Sequence, residues 1–172
     1  MKSAKDVTLL GMCVALLIGA QLVLSGISGI EIVTVLLLSF CYCLGALRGV
    51  AIATAFSLLR CLIFGFYVQV ILLYLIYYNA FALFFGWLGG RFGRRAGRLS
   101  YGLCVFFAAM FTVCFTLLDN VLTPLLYGMK GSAFKAYFYA SLYTVVPHTI
   151  CAVLTVALLF YPLVGALQRI SK

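Results

Sequence analysis

The chain has 172 residues, 66% of them hydrophobic, and its charges amount to twelve Lys or Arg and three Asp or Glu. Soluble domains carry about a quarter of their residues as charges because their surfaces face water, so this composition excludes a soluble globular protein and leaves no segment for an attached catalytic domain. The formal charge of +9 would suit nucleic acid only as a patch, and here the basic residues sit scattered in short gaps between apolar runs.

An apolar run of about 18 residues or more is long enough to cross a bilayer as a helix. Six such runs, residues 7–25, 30–47, 49–67, 68–87, 99–122 and 140–163, predict an all-α integral membrane protein. The expected architecture is a single domain over residues 1–172, a compact bundle of six transmembrane helices, with tight turns at residues 45–49 and 65–69. The first run is too long for a cleavable signal, and no small-x-small site followed by a soluble chain comes after it. With the N-terminus inside, Lys2, Lys5, Arg48, Arg91, Arg94, Arg95, Arg98, Arg169 and Lys172 fall on one side and only Lys130 and Lys135 on the other. That bias predicts cytoplasmic N- and C-termini.

Within the first run Gly11, Ala15 and Gly19 share one helix face at i, i+4 and i+8. Small residues at this spacing let backbones approach in lipid, either inside the chain or against an external partner. The third run carries Ala51 and Ala55, and the fourth Ala82, Gly86 and Gly90, where packing within the chain suffices. The seven cysteines all fall inside predicted spans, as expected of small apolar core residues rather than a disulfide framework or metal site.

Polar residues at membrane depth are costly and usually face a cavity or one another. Followed along their helices, Gln21, Glu31, Arg60, Gln69, Asp119 and Asn120 come out in the outer half, with Asn79 and His148 nearer the middle. Arg60 has Glu31 and Asp119 as candidate partners; a structural ion pair and a ligand site both accommodate that set. Tyr67, Tyr74, Tyr77, Tyr78, Tyr127, Tyr137, Tyr139 and Tyr143 crowd the same level, as an interfacial belt or as platforms for a flat ring. The segment 123–139, with Pro124, Gly128 and Gly131, reads as the one long external loop and a natural lid. Pro147 is expected to interrupt the last span and leave His148 either as a core residue or on a pocket floor.

Gly26-Ile27-Ser28-Gly29 matches the GxSG pattern of rhomboid-type intramembrane serine proteases, whose serine needs a base within reach and oxyanion donors. In rhomboids that serine lies late in the bundle and a second histidine assists; here the motif follows the first span and His148 is the one histidine. The motif reads as a turn. HExxH, paired intramembrane aspartates and GxxxxGK[ST] are all missing from the sequence.

The opening "KDVTLLGMCVALLIGAQLVLS", the segment "GIEIVTVLLLSFCYCLGALRG" and the closing "YTVVPHTICAVLTVALLFYPL" resemble the substrate-binding S components of energy-coupling factor (ECF) vitamin transporters. Gly11-x-x-x-Ala15 stands at the place of that family's AxxxA contact motif. The resemblance implies a plasma-membrane protein of a prokaryote that captures a small vitamin or vitamin precursor from outside. It docks on a transmembrane coupling subunit, and two ATPase subunits use the ATP, so the chain itself needs no cofactor. Carried onto this sequence, Gly11, Ala15 and Gly19 become docking residues, and Ser28, Tyr127, Lys130 and Lys135 belong to segments closing over the ligand. Glu31, Arg60, Asp119 and His148, supported by Asn79 and Tyr74, are the expected ligand-binding residues; catalytic residues, metal ligands and nucleic-acid contacts are not expected. The rival readings are a self-sufficient transporter in which Glu31 or Asp119 carries coupled protons, and the intramembrane protease. One histidine offers too few nitrogen ligands for cobalt or nickel as cargo.

Overall fold

The structure is a computed structural model that describes residues 4–26, 32–93 and 97–170. These form six helices: α1 (Ala4–Leu24), α2 (Val33–Leu44), α3 (Ala46–Phe64), α4 (Val68–Phe92), α5 (Arg98–Leu126) and α6 (Ser132–Ile170). Five of them are long and apolar enough to cross a membrane. Helices satisfy their backbone groups internally, which hydrocarbon demands, and the chain is a multi-pass helical membrane protein.

The second predicted span differs. Instead of a crossing over residues 30–47, α2 is 12 residues long, about 18 Å at 1.5 Å per residue, against a hydrocarbon core of about 30 Å. Eleven of its residues are buried, so its uniform hydrophobicity reflects burial among other helices rather than contact with lipid. Gly45 ends it with φ 89°, a left-handed value that a side chain would strain, and α3 starts at the next residue. The expected turn of residues 45–49 thus shrinks to one glycine, and that of 65–69 to residues 65–67.

The loop expected over residues 123–139 is mostly helix. Only residues 127–131 separate α5 from α6. Gly128 N–H donates to Leu125 O and Met129 N–H to Pro124 O, the paired bonds of a Schellman cap. Pro147 does not interrupt the last span either; α6 runs through both Pro147 and Pro162 as one helix of 39 residues. Neighbouring helices in a bundle tolerate such a lost backbone bond.

Contacts between named residues fix the helix directions. Arg48 Nη2 lies 2.8 Å from Asp6 Oδ1, joining the starts of α1 and α3, so these two run parallel. Thr54 donates to Asn79 Oδ1 at 3.0 Å while Arg60 stacks on Tyr74, so α4 runs antiparallel to α3. Ring contacts Phe84–Phe107, Phe81–Phe111 and Tyr74–Phe115 turn α5 antiparallel to α4, and Tyr101 Oη, donating to Ala157 O at 2.6 Å, sets α6 against α5. One end of the bundle therefore carries Lys5, Arg48, Arg91, Arg98 and Arg169, and is called the basic end below. The Asp6–Arg48 pair is partly exposed, so a double-mutant cycle with Asp6→Asn and Arg48→Gln is expected to give a coupling of about 1 kcal/mol or less.

Close approach near the basic end depends on glycine. A Cβ at Gly86 would collide with the backbone of Ala46, and one at Gly89 with Tyr42 O, whereas Gly90 faces open space. The packing face of α4 is thus Ala82, Gly86 and Gly89, not Gly90. Gly86→Ala is expected to lower stability by about 1–3 kcal/mol, while Gly90→Ala leaves it unchanged or raises it by up to about 1 kcal/mol. Thermal unfolding of the two variants in detergent, compared with the parent, checks the opposite signs.

Candidate functional site

Two surfaces stand out, one inside the bundle at the end opposite the basic one, the other outside along α1 and α3. The first is built on α3, α4 and α5. A ring cluster fills the space between α4 and α5: Tyr77 and Phe115 centroids lie 4.6 Å apart, Tyr74 and Tyr78 4.9 Å, and Tyr74 and Phe115 5.6 Å. Arg60 reaches this cluster from α3, its guanidinium carbon 4.0 Å from the Tyr74 centroid and 5.2 Å from that of Phe64. Lysine and arginine stems normally carry their charge outward to water; here Nε of Arg60 is buried and has no hydrogen-bond partner.

At the centre of a membrane helix a charge costs about 2.5–3.5 kcal/mol on insertion scales; Arg60 stands four residues from the end of α3, where the cost is smaller, and a cation–π contact returns about 0.5–2 kcal/mol. Among the described residues no carboxylate forms an ion pair with it. Asp119 lies one turn beyond Phe115 on α5 and accepts from Thr123 Oγ1 at 2.7 Å; no ion pair joins it to Arg60. The expected Arg60–Asp119 pair is therefore not formed; Oδ1 of Asp119 is engaged within its own helix. Glu31 and Ser28 lie outside the described residues.

Two more buried polar atoms at this end lack partners: Oε1 of Gln21, near the end of α1, and Nδ2 of Asn120. The Asn120 side chain is 2% exposed. A buried, unmade hydrogen bond costs about 1–3 kcal/mol, and each of the three atoms leaves a bond that a small polar molecule reaching it can make. The sequence placed both Gln21 and Asn120 at this level without selecting them. A signal for Asn120 was present: it continues the i, i+4 stripe of Ala108, Thr112 and Thr116, all buried.

The other expected ligand residues are spread out. Asn79 is engaged by Thr54, six residues nearer the basic end than Arg60. His148 is partly buried on α6, nine residues before Ala157, and makes no hydrogen bond among the described residues. Tyr127 and Lys130 occupy the α5–α6 turn and Lys135 the first turn of α6, all three exposed. The expected lid is therefore the tip of a helical hairpin. All seven cysteines are free, and among the described residues no group of three His, Cys, Asp or Glu gathers to hold a metal.

The second surface is a groove between α1 and α3, lined by Gly11, Ala15 and Ile18 on one side and Ala51, Ala55 and Ile63 on the other. Its volume is about 470 Å³. The buried face of α1 is Leu10, Cys13, Val14 and Leu17, while Gly11 and Ala15 are exposed. A Cβ placed on Gly11 or Gly19 would meet nothing within 4 Å. The small-residue stripe thus borders the α1–α3 contact and leaves room beside it. Compared with known proteins, the chain matches no family model, no curated protein and no solved structure.

Proposed function

We propose that this protein is the substrate-binding S component of an ECF-type importer, as its sequence resemblance implies. The observation that carries the reading is the bare α1–α3 groove. Small residues in membrane helices serve close helix approach, and here Gly11 and Ala15 are exposed in the groove that α1 forms with α3. A coupling subunit presenting a helix to that groove gives the stripe its use. The basic end then faces the cytoplasm, by the positive-inside bias, and Arg60, Tyr74 and Asn120 face the outside, where a nutrient arrives.

In this reading a vitamin-like molecule enters from the outer end of the bundle and is held by the polar groups around Arg60, with Asp119, Asn79, His148 and Glu31 as further candidates. The hairpin tip with Tyr127, Lys130 and Lys135, and the turn carrying Ser28, lie over it. Partner ATPases supply the energy, and the chain binds rather than catalyses. Its setting is the plasma membrane of a prokaryote.

Native mass spectrometry of the gently purified chain, from cells grown in rich medium, tests the proposal. A small molecule retained at one-to-one stoichiometry is the expected result. An empty protein that also fails to bind a panel of vitamins overturns it and favours the proton-coupled transporter.

A further inference from the structure

Resting on that reading, we infer that the ligand is an anion, and that its carboxylate or phosphate oxygen is the acceptor for Arg60. The chain has three acidic residues in all. Asp6 is held by Arg48 at the basic end, and Asp119 accepts from Thr123. Only Glu31, outside the described residues, remains as a carboxylate of the chain that has not been placed. The guanidinium faces the rings of Tyr74 and Phe64, which favour the cation, and its Nε is buried without a hydrogen-bond partner.

The buried Nε of Arg60, a donor without a partner, points the same way. A carboxylate or phosphate presents only acceptors when fully ionised and so matches a guanidinium. A cationic ligand would meet Arg60 as a like charge in a low dielectric. Lys130 and Lys135, exposed at the hairpin, leave this end net positive among the described residues, since Asp119 is its one described acid. Such a field draws anions toward the opening and raises their rate of capture.

The test separates ligand charge from ligand existence. A water-soluble extract of rich growth medium is divided on an anion exchanger at neutral pH into retained and flow-through pools. The purified chain, freed of any bound molecule, is exposed to each pool and observed by native mass spectrometry. A one-to-one adduct from the retained pool is expected. Arg60→Gln should weaken that adduct roughly 10- to 100-fold, as loss of a hydrogen bond to a charged group does, and Arg60→Lys should weaken it less.

An adduct from the flow-through pool alone overturns the inference but leaves the transport reading standing. Adducts from neither pool overturn both. An adduct from the retained pool that survives Arg60→Gln at full strength also overturns it, since Arg60 is then neutralised within the chain. The division between pools is read on the parent protein, so the result stands even if Arg60→Gln fails to fold.

Discussion

Replacing Ala15 by tryptophan is expected to abolish uptake while leaving ligand affinity and thermal stability at their parental values. Ala15 is exposed on the bare face of α1, and it lines the groove shared with Ala51 and Ala55. An indole at this position projects into lipid and has room to do so, because the neighbouring Gly11 and Gly19 faces are open. The isolated chain therefore keeps its fold. A partner helix seated between α1 and α3 loses its close approach, and overpacking of about 1–3 kcal/mol translates into roughly 5- to 150-fold weaker docking. Leu16→Trp is the control: Leu16 is 57% exposed but does not line the groove, so that change should leave transport intact. Ligand uptake into vesicles and co-purification of the coupling subunit read the effect. Full transport by Ala15→Trp, or uptake by the purified chain alone under a proton gradient, would exclude docking through this groove.

What the sequence made legible follows from the length of its apolar runs. Residues that span hydrocarbon must be apolar for a length set by the bilayer, so four of the helices could be placed within about five residues, while the last, expected over 140–163, runs Ser132–Ile170. The second run is instructive. A spanning helix in lipid and a short helix buried by its neighbours are both apolar all round, and periodicity does not separate them; α2 was read as a crossing for that reason. Pro124, Gly128 and Gly131 are turn signals in water, yet Pro124 lies within the last turns of α5 and only Gly128 and Gly131 sit in the turn itself. That Gln21, Arg60, Asp119 and Asn120 stand toward the end opposite the basic one was legible from position along each helix. Their partners were not, because these depend on rotation about the helix axis and on side-chain reach. Arg60 was assigned two carboxylates as candidates and is found against Tyr74 and Phe64. The Asp6–Arg48 pair spans 42 positions and was missed, although Arg48 had been placed on the basic side.

Asn120→Leu is expected to raise the stability of the ligand-free protein and to weaken ligand binding. The two effects come from one cause. The amide of Asn120 is 2% exposed, and its Nδ2 has no partner. A buried donor left unpaired costs about 1–3 kcal/mol, and leucine of similar size removes that cost without adding a polar atom. If Asn120 served the fold alone, selection for stability would have no use for the amide, and the variant would gain stability with no other change. If the amide is kept to meet a ligand, the gain in the empty protein is matched by a loss in the complex. Binding should then fall by roughly 5- to 150-fold, the same free energy read from the other side. Thermal unfolding of the parent and variant, each with and without the retained small molecule, separates these cases. The parent should be stabilised by the molecule more than the variant is, so that their order of stability in its absence is reversed or narrowed in its presence. An equal upward shift of the variant in both conditions would assign Asn120 to the core and remove it from the site. Thr116→Val, one turn nearer the basic end, provides the contrast. Its hydroxyl is already bound to Thr112 O at 2.9 Å, so removing it relieves no unpaired group and should change neither quantity in that pattern. A stability gain confined to Asn120, coupled to a binding loss, is the signature of a polar group held unsatisfied for a visitor.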